Sequence, residues 1–288
     1  MQKNLHMKAE PDSIRRLHVL CAALVTAGLS FLLGACASSD GSLTYADSGG
    51  VGRGLRPPGS PPTAASQRSK ALESRPGLGT TLGNEYTDNS VSTMFYRRNQ
   101  STPDAVGSFH YNDEDGAKAM ADFLGDSSKH TGSFKLAGGR VKASLDTGWY
   151  GGKLPWYESN GKIFVIGQAG SSYSIILENP GKEKVEVVVS VDGLDTLSGT
   201  PASASRRGYV IPSKSQIRID GMKYNGKMRR FEFGSVRNSQ AAKTGGERGA
   251  RNVGVIGVAV YVEDEAAAKM ARIKEGMTRD DARAFPGS

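Results

Sequence analysis

Residues 160–191 read NGKIFVIGQAGSSYSIILENPGKEKVEVVVSV. Three apolar runs, Ile163 to Gln168, Tyr173 to Asn179 and Val185 to Val191, are each bounded by turn chemistry. Asn160-Gly161 precedes the first run, and both residue types tolerate the left-handed backbone that a two-residue hairpin needs. Asn179-Pro180-Gly181 separates the second run from the third. Apolar runs this short and this rich in Ile and Val are strands rather than helices. The same period of two extends outward to Val141–Asp146 and Gly148–Tyr157 on one side. On the other it reaches Tyr209–Pro212, Gln216–Asp220, Arg230–Val236 and Val253–Val262. Roughly nine short strands with frequent turn signals predict a mainly β domain over 75–262, an antiparallel β-sandwich or open barrel.

Closer to the N-terminus, Val91–Arg97 and Ala105–Tyr111 alternate as strands do, while Pro76-Gly77-Leu78-Gly79 reads as turn material. Between these strands and the rest, Ala117, Met120, Ala121 and Leu124 recur at helical spacing after Asn112 and Asp113, either of which would cap. Gly125 stops that short internal helix. A second helix is expected at the C-terminal end of the domain, from Glu263 to Met277, before a frayed tail to 288.

The chain has 288 residues with 37 Gly and 12 Pro, and 38% of its residues are hydrophobic. That composition excludes collagen, wholesale disorder and a multispanning membrane protein, and leaves material for one core. Lys3, Lys8, Arg15 and Arg16 precede an almost uninterrupted apolar run from Leu17 to Ala35, which is the pattern of a secretory signal. The run closes on Leu33-Gly34-Ala35-Cys36, which resembles the lipobox of bacterial lipoproteins. By that resemblance 1–35 is a signal peptide and Cys36 the lipidated first residue of the mature chain, carrying palmitate-type acyl groups. By resemblance to enterobacterial lipoprotein sorting, Ala rather than Asp at position 37 implies the outer membrane over the inner. The plainer reading is a transmembrane anchor with an incidental cysteine. Cys21 lies inside the signal, so the mature chain has no disulfide. From residue 36 to 74 the chain is rich in Ser, Gly, Pro and Ala and reads as a disordered tether. About 35 such residues reach on the order of 30–35 Å.

RPGLGT at 75–80, SVDGLDTLSGTPAS at 190–203, RRGYVIP at 206–212, FEFGSV at 231–236 and RNVGVIGVAVY at 251–261 carry a likeness of their own. They resemble a family of uncharacterised exported bacterial β-rich proteins, many of them lipoproteins. The resemblance implies a shared β-rich domain and brings no activity or catalytic residues with it.

Chemistry-bearing constellations are sparse. His110 and His130 stand outside any zinc spacing, and no G-x-S-x-G elbow occurs, so neither a metal site nor a cofactor is expected. Ser159-Asn160-Gly161-Lys162 fits S-x-x-K, yet it sits on the best hairpin turn. Gly254-Val255-Ile256-Gly257 has the tail of a dinucleotide fingerprint inside a β run, where glycines more simply relieve crowding. Asp192, Asp195 and Asp220 offer carboxylates for calcium or for acid–base hydrolysis, while Asp-Gly pairs are first of all turn formers. Trp149-Tyr150 and Trp156-Tyr157 flank Gly151-Gly152-Lys153, as a sugar-stacking platform would, with core packing the plainer alternative.

Charge is the remaining signal. Between Ser205 and Arg251 there are twelve Lys or Arg against Asp220, Glu232 and Glu247, in a chain whose overall net charge is +8. Such a segment would attract polyanions if it formed one face, and scattered solvated charges are the alternative. The expected function is that of a lipid-anchored cell-envelope protein, non-enzymatic, binding an envelope protein, lipopolysaccharide or a cell-wall polymer rather than nucleic acid. The candidate surface is Arg206, Arg207, Lys214, Arg218, Arg229 and Arg230 with Trp149 and Trp156. An envelope hydrolase using the three aspartates is the competing expectation.

Overall fold

Hairpin chemistry sets the framework. The structure, a computed structural model, describes residues 75–88, 91–148, 152–280 and 282–283. The signal, Cys36, the tether, Trp149 and the end of the tail lie outside the described residues. Asn160 and Gly161 take φ of 49° and 72° and join β6 (Trp156–Ser159) to β7 (Lys162–Ile166), with Ser159 opposite Lys162. Two further pairs with both φ positive make the same tight connection. Asn225-Gly226 joins β13 (Gly221–Tyr224) to β14 (Lys227–Ser235), and Asp192-Gly193 joins β9 (Val185–Val191) to β10 (Leu194–Asp195). A two-residue loop whose backbone is left-handed at both positions matches the twist of the strands it connects.

The domain is a β-sandwich of two sheets with helices at its margins. One sheet runs in the order β1 (Leu78–Tyr86), β14, β8 (Ser172–Glu178), β5 (Val141–Thr147), β4 (Phe134–Leu136). Alongside it β12 (Gln216–Ile219) pairs with β8, and β13 with β14. The other runs β10, β9, β15 (Val255–Val262), β2 (Ala105–Asn112), β7, β6, β3 (Ser128–His130), with β11 (Tyr209–Ile211) on β9. Pairings are antiparallel except β2 with β7, where His110 lies opposite Phe164 in a parallel ladder. Alternate residues of β15 divide between two environments. Ile256, Val258, Val260 and Val262 enter the core between the sheets, while Ala259 and Tyr261 pack on the outer face with Phe95 and Val188. Period-two alternation with both faces covered is why this strand reads as a nearly continuous apolar run. In the core, Tyr173 stacks on Phe233 at 4.2 Å and on Phe231 at 5.1 Å.

Helix α1 (Glu114–Phe123) is capped by Asp113, whose side chain accepts the Gly116 N–H at 2.8 Å. Its Ala117 and Ala121 pack on Tyr157, Phe164 and Ile166 of the second sheet. Helix α3 (Glu265–Asp280) follows β15 where the sequence places a terminal helix, and Asp264 caps it by accepting the Ala267 N–H at 3.0 Å. Helix α2 (Gln240–Ala250) has no periodic apolar pattern to announce it. Ser239 caps it, and Gly246 breaks it with φ of 55°.

The described strands number fifteen, and ten of them answer to the eleven segments that alternation picks out. The surplus consists of short or polar strands: β1, which begins inside Pro-Gly-Leu-Gly, then β3, β4, β10 and β13. Conversely, Val91–Arg97 forms no strand beyond a single bridge from Arg97 to Glu263. Its alternation serves another purpose, because Phe95 and Arg97 both point inward, onto the outer face of the second sheet. Among the described residues no helix is long and apolar enough to cross a membrane.

Candidate functional site: a cleft floored by a buried ion pair

The segment around Phe95 and the loop that follows β10 meet over the outer face of β9 and β15. Arg97 joins them. Its Nε donates to Glu186 Oε2 at 2.6 Å, its Nη1 donates to the Ser205 carbonyl at 2.9 Å, and its Nη2 donates to the Arg206 carbonyl. The guanidinium lies 3.6 Å from the centroid of the Tyr261 ring. The other oxygen of Glu186 accepts the Gly208 N–H at 2.7 Å, and the Tyr261 hydroxyl donates to the Ala204 carbonyl at 2.9 Å. The side chains of Arg97 and Glu186 are only 4% and 2% exposed. A buried pair of this kind is tolerated because nearly every polar atom around it is matched. Planar guanidinium geometry lets one residue serve a carboxylate, two carbonyls and a ring at once.

Above this pair opens a cleft of about 870 Å³, with Val91, Met94 and Phe95 on one wall, Tyr209 and Ile217 on the other and Arg207 at its rim. Val91 is 84% exposed and Met94 75%, so the first wall offers apolar surface to solvent. The Arg207 guanidinium donates to the Phe95 carbonyl at 3.2 Å, which fixes it across the cleft mouth. Burial drives the Tyr209 hydroxyl well above its ordinary pKa, with the Thr196 hydrogen bond opposing. It therefore stays a neutral donor, directed at Thr196 Oγ1 at 3.1 Å.

The remaining basic residues do not join Arg207 on one face. Arg206 is exposed on the same loop, 3.2 Å from Ser198 Oγ. Lys214 sits in a left-handed turn with φ of 55° and donates to the Pro180 carbonyl. Arg218, on β12, belongs to the other sheet. It contacts Asp220 at 2.8 Å, Asp146 at 3.7 Å, and the Gly148 carbonyl. Arg229 and Arg230 also belong to that sheet, on β14. Being consecutive in a strand they project to opposite sides: Arg229 donates to the Gly83 carbonyl at 3.0 Å, and Arg230 lies 5.1 Å over the Tyr86 ring. The chain crosses from one sheet to the other between β11 and β12, which divides the basic segment. Trp156 is a core side chain rather than half of a stacking platform, with its ring 4.5 Å from His130 and 5.3 Å from Phe134. Tyr157 turns to the opposite side of β6, beneath α1.

The three aspartates are likewise separated. Asp192 is buried at the Asp-Gly turn with its carboxylate directed inward. It accepts the Thr80 N–H at 2.8 Å, the Gly254 N–H at 2.9 Å and the Tyr111 hydroxyl at 2.6 Å. Thr80 Oγ1 is 2.7 Å from the Tyr111 hydroxyl and 2.6 Å from that of Tyr173. Because Tyr111 donates to the carboxylate, Thr80 must donate to Tyr111 and Tyr173 to Thr80, an ordered chain that spans both sheets. Desolvation outweighs the donors and pushes the Asp192 pKa up to about 6. Burial also pushes both tyrosines well above their ordinary value, so they remain donors. Asp195 instead accepts the Ser198 N–H and hydroxyl, and Asp220 the Ser174 hydroxyl and Arg218. Among the described residues no three His, Cys, Asp or Glu side chains converge as a metal site would require. The glycine at 254 has φ of 90°, opens β15 and supplies one of the donors to Asp192; it makes no strand-to-helix turn for a dinucleotide.

Two features escaped sequence reasoning, the Arg97–Glu186 pair and the Asp192 chain. The signal for the first was present in VEVVVSV, where one carboxylate interrupts an otherwise apolar run. A buried charge needs a partner, but sequence spacing cannot say that it stands 89 positions earlier. No family model, curated protein or solved structure matches this chain. The likeness to exported β-rich proteins therefore rests on its five quoted motifs.

Proposed function

We propose that this chain is a lipid-anchored bacterial cell-envelope protein, held at the outer membrane through Cys36, that works without catalysis as a binding module for an envelope protein or an anionic glycan or lipid. What supports the reading is the cleft. It pairs exposed apolar surface at Val91 and Met94 with the positioned cation of Arg207, and the buried Arg97–Glu186 pair stiffens its floor. A preformed groove of this size that sets apolar surface beside placed polar groups, here Thr93, Gln100, Glu186 and Arg207, is a common form of recognition site. The carboxylate with the raised pKa, Asp192, is enclosed in the core and lines none of the described clefts, which weighs against the hydrolytic reading.

The experiment is photo-crosslinking in cells from position 94, position 207 and position 218 of the full-length chain. Capture of one envelope component from 94 and 207, and not from 218, is the expected result. Equal capture at 218, or none at 94 and 207, overturns the cleft as the binding surface. The anchor is tested separately: palmitate incorporation should vanish in Cys36→Ala, and a chain that never incorporates palmitate overturns the anchoring.

A further inference from the structure

Helix α3 is amphipathic in an unusual sense: its apolar stripe faces away from the domain. At 100° per residue, Ala266, Met270, Ile273 and Met277 fall within about 60° of arc. Ala268, the buried residue of this helix, lies about 170° from the centre of that stripe. Met270 is 66% exposed, Ile273 45% and Met277 67%. Lys269 and Lys274 stand about 70° to either side of the stripe, and neither has an ion pair with a described residue. Of the acidic residues, Glu265 and Glu275 project from the other half of the helix, where Glu275 pairs with Arg279 at 2.8 Å, while Asp280 in the last turn lies about 50° from the stripe centre.

A helix of 16 residues that keeps its own apolar side chains in water is marginal unless something covers them. A second copy of this chain is a poor cover. The 4-3-4 spacing would place Lys269 and Lys274 at the flanking positions of a helix pair, and lysine meets lysine in both the parallel and the antiparallel arrangement. An anionic surface is complementary instead. Methionine and isoleucine would enter its apolar layer, while the two lysine stems lie along it and carry their ammonium groups to phosphate level.

We propose that α3 is a membrane-surface helix that rests on anionic lipid through Met270, Ile273 and Met277, with Lys269 and Lys274 engaging the headgroups. It is a contact separate from the cleft, and it rests on the proposed anchoring only in that a lipid tether would hold a membrane within reach. Under that tether a short stripe is enough, because the second contact forms at high effective concentration.

The test uses the full-length chain carrying Cys21→Ser and Cys36→Ser, so that it is unlipidated and has no other thiol, with an environment-sensitive dye on Ile273→Cys or, as control, on Glu275→Cys. A dye at one position is needed because the Leu17–Ala35 run would itself carry the chain to vesicles. With vesicles containing phosphatidylglycerol, the dye at 273 is expected to shift to the blue and to gain severalfold protection from iodide, while the dye at 275 is unchanged. Phosphatidylcholine vesicles and added salt should both reduce the effect, since the lysine contribution is screened. Lys269→Glu with Lys274→Glu should weaken vesicle binding at this face by at least about thirtyfold. A dye at 273 that stays wet on anionic vesicles overturns the proposal. So does equal burial at both positions, or protection at 273 by self-association without vesicles. Because these chains lack Cys36, loss of the anchor reading leaves the result untouched, and the reverse also holds.

Discussion

Helices α1 and α3 carry the same kind of pattern and the fold uses them in opposite ways. Both begin at an aspartate cap, and both present small and apolar residues at helical spacing. In α1 that face lands on Tyr157, Phe164 and Ile166, which stand uncovered on the outer side of β6 and β7. Helix α3 leaves the end of β15, whose outer side is already taken by Phe95, Val188 and the Tyr261–Arg97 stack. With that outer side taken, α3 packs by its alanines, Ala268 and Ala271 beside Met94 and Tyr96, and turns its stripe outward. Periodicity thus establishes that a helix has an apolar face; which way the face looks is decided by what the adjoining strand still has to offer.

The largest effect should come from removing what pre-empts the outer face of β15. Glu186→Ala leaves the Arg97 guanidinium buried without its carboxylate and frees the Gly208 N–H. The expected cost is about 3–5 kcal/mol, measured as a lower urea midpoint, with the loop around Arg206 becoming open to proteolysis. If stability and proteolysis are unchanged, the pair does not hold that cover in place.

Next is a charge placed on the buried face of α1. Ala121 is fully buried against the sheet, so Ala121→Asp should cost about 3 kcal/mol, from an unpaired carboxylate in an apolar site. An effect below 1 kcal/mol would mean that α1 is as loosely attached as α3, and the contrast between the two helices would fail.

Between these two margins the sheets are joined by Asp192, where the effect depends on pH. Its carboxyl pKa is raised from 3.8 to about 6, so the protonated form is favoured by folding. The stabilisation is fully present below pH 4 and is lost as pH rises through 6, amounting to about 3 kcal/mol. In Asp192→Asn the group cannot titrate, so the difference in unfolding free energy between the two proteins should change by that amount between pH 4 and 6. A difference that stays flat across this window would mean that the donors from Thr80, Gly254 and Tyr111 cancel the desolvation.

Much of this architecture was legible in residues 160–191, because Asn-Gly turns and β-branched alternation act locally. The strands of that region, the α1 pattern and the terminal helix need only neighbours in sequence to be recognised. What was not legible depends on partners far apart. Strand β1 exists because Leu78 to Tyr86 finds β14 some 150 positions later, and alternation alone could not show that the VSTMFYR segment lies across a finished sheet. The basic segment likewise looks continuous on paper. Its division between two sheets follows from the turn around Lys214, which no count of charges contains. Of the candidate surface, Arg207 is placed at the cleft and Trp156 in the core, an outcome decided by which side of β6 faces the other sheet.

The smallest effect sharpens the comparison most. Ile273→Asp puts the same carboxylate on an apolar position of α3 that Ala121→Asp puts on α1, yet in dilute solution its cost should lie within about 0.5 kcal/mol of zero. Helix propensity changes little between Ile and Asp, and no described side chain loses a packing partner that the fold depends on. Chemical denaturation of the two variants side by side reads the difference directly. A loss near that of Ala121→Asp would mean that α3 buries its stripe against its own domain in solution, and the outward-facing helix would have to be abandoned. A neutral result in solution, together with a dye on Met277→Cys that is buried on anionic vesicles in the parent chain and stays wet beside Ile273→Asp, would assign the apolar character of these positions to binding rather than to folding.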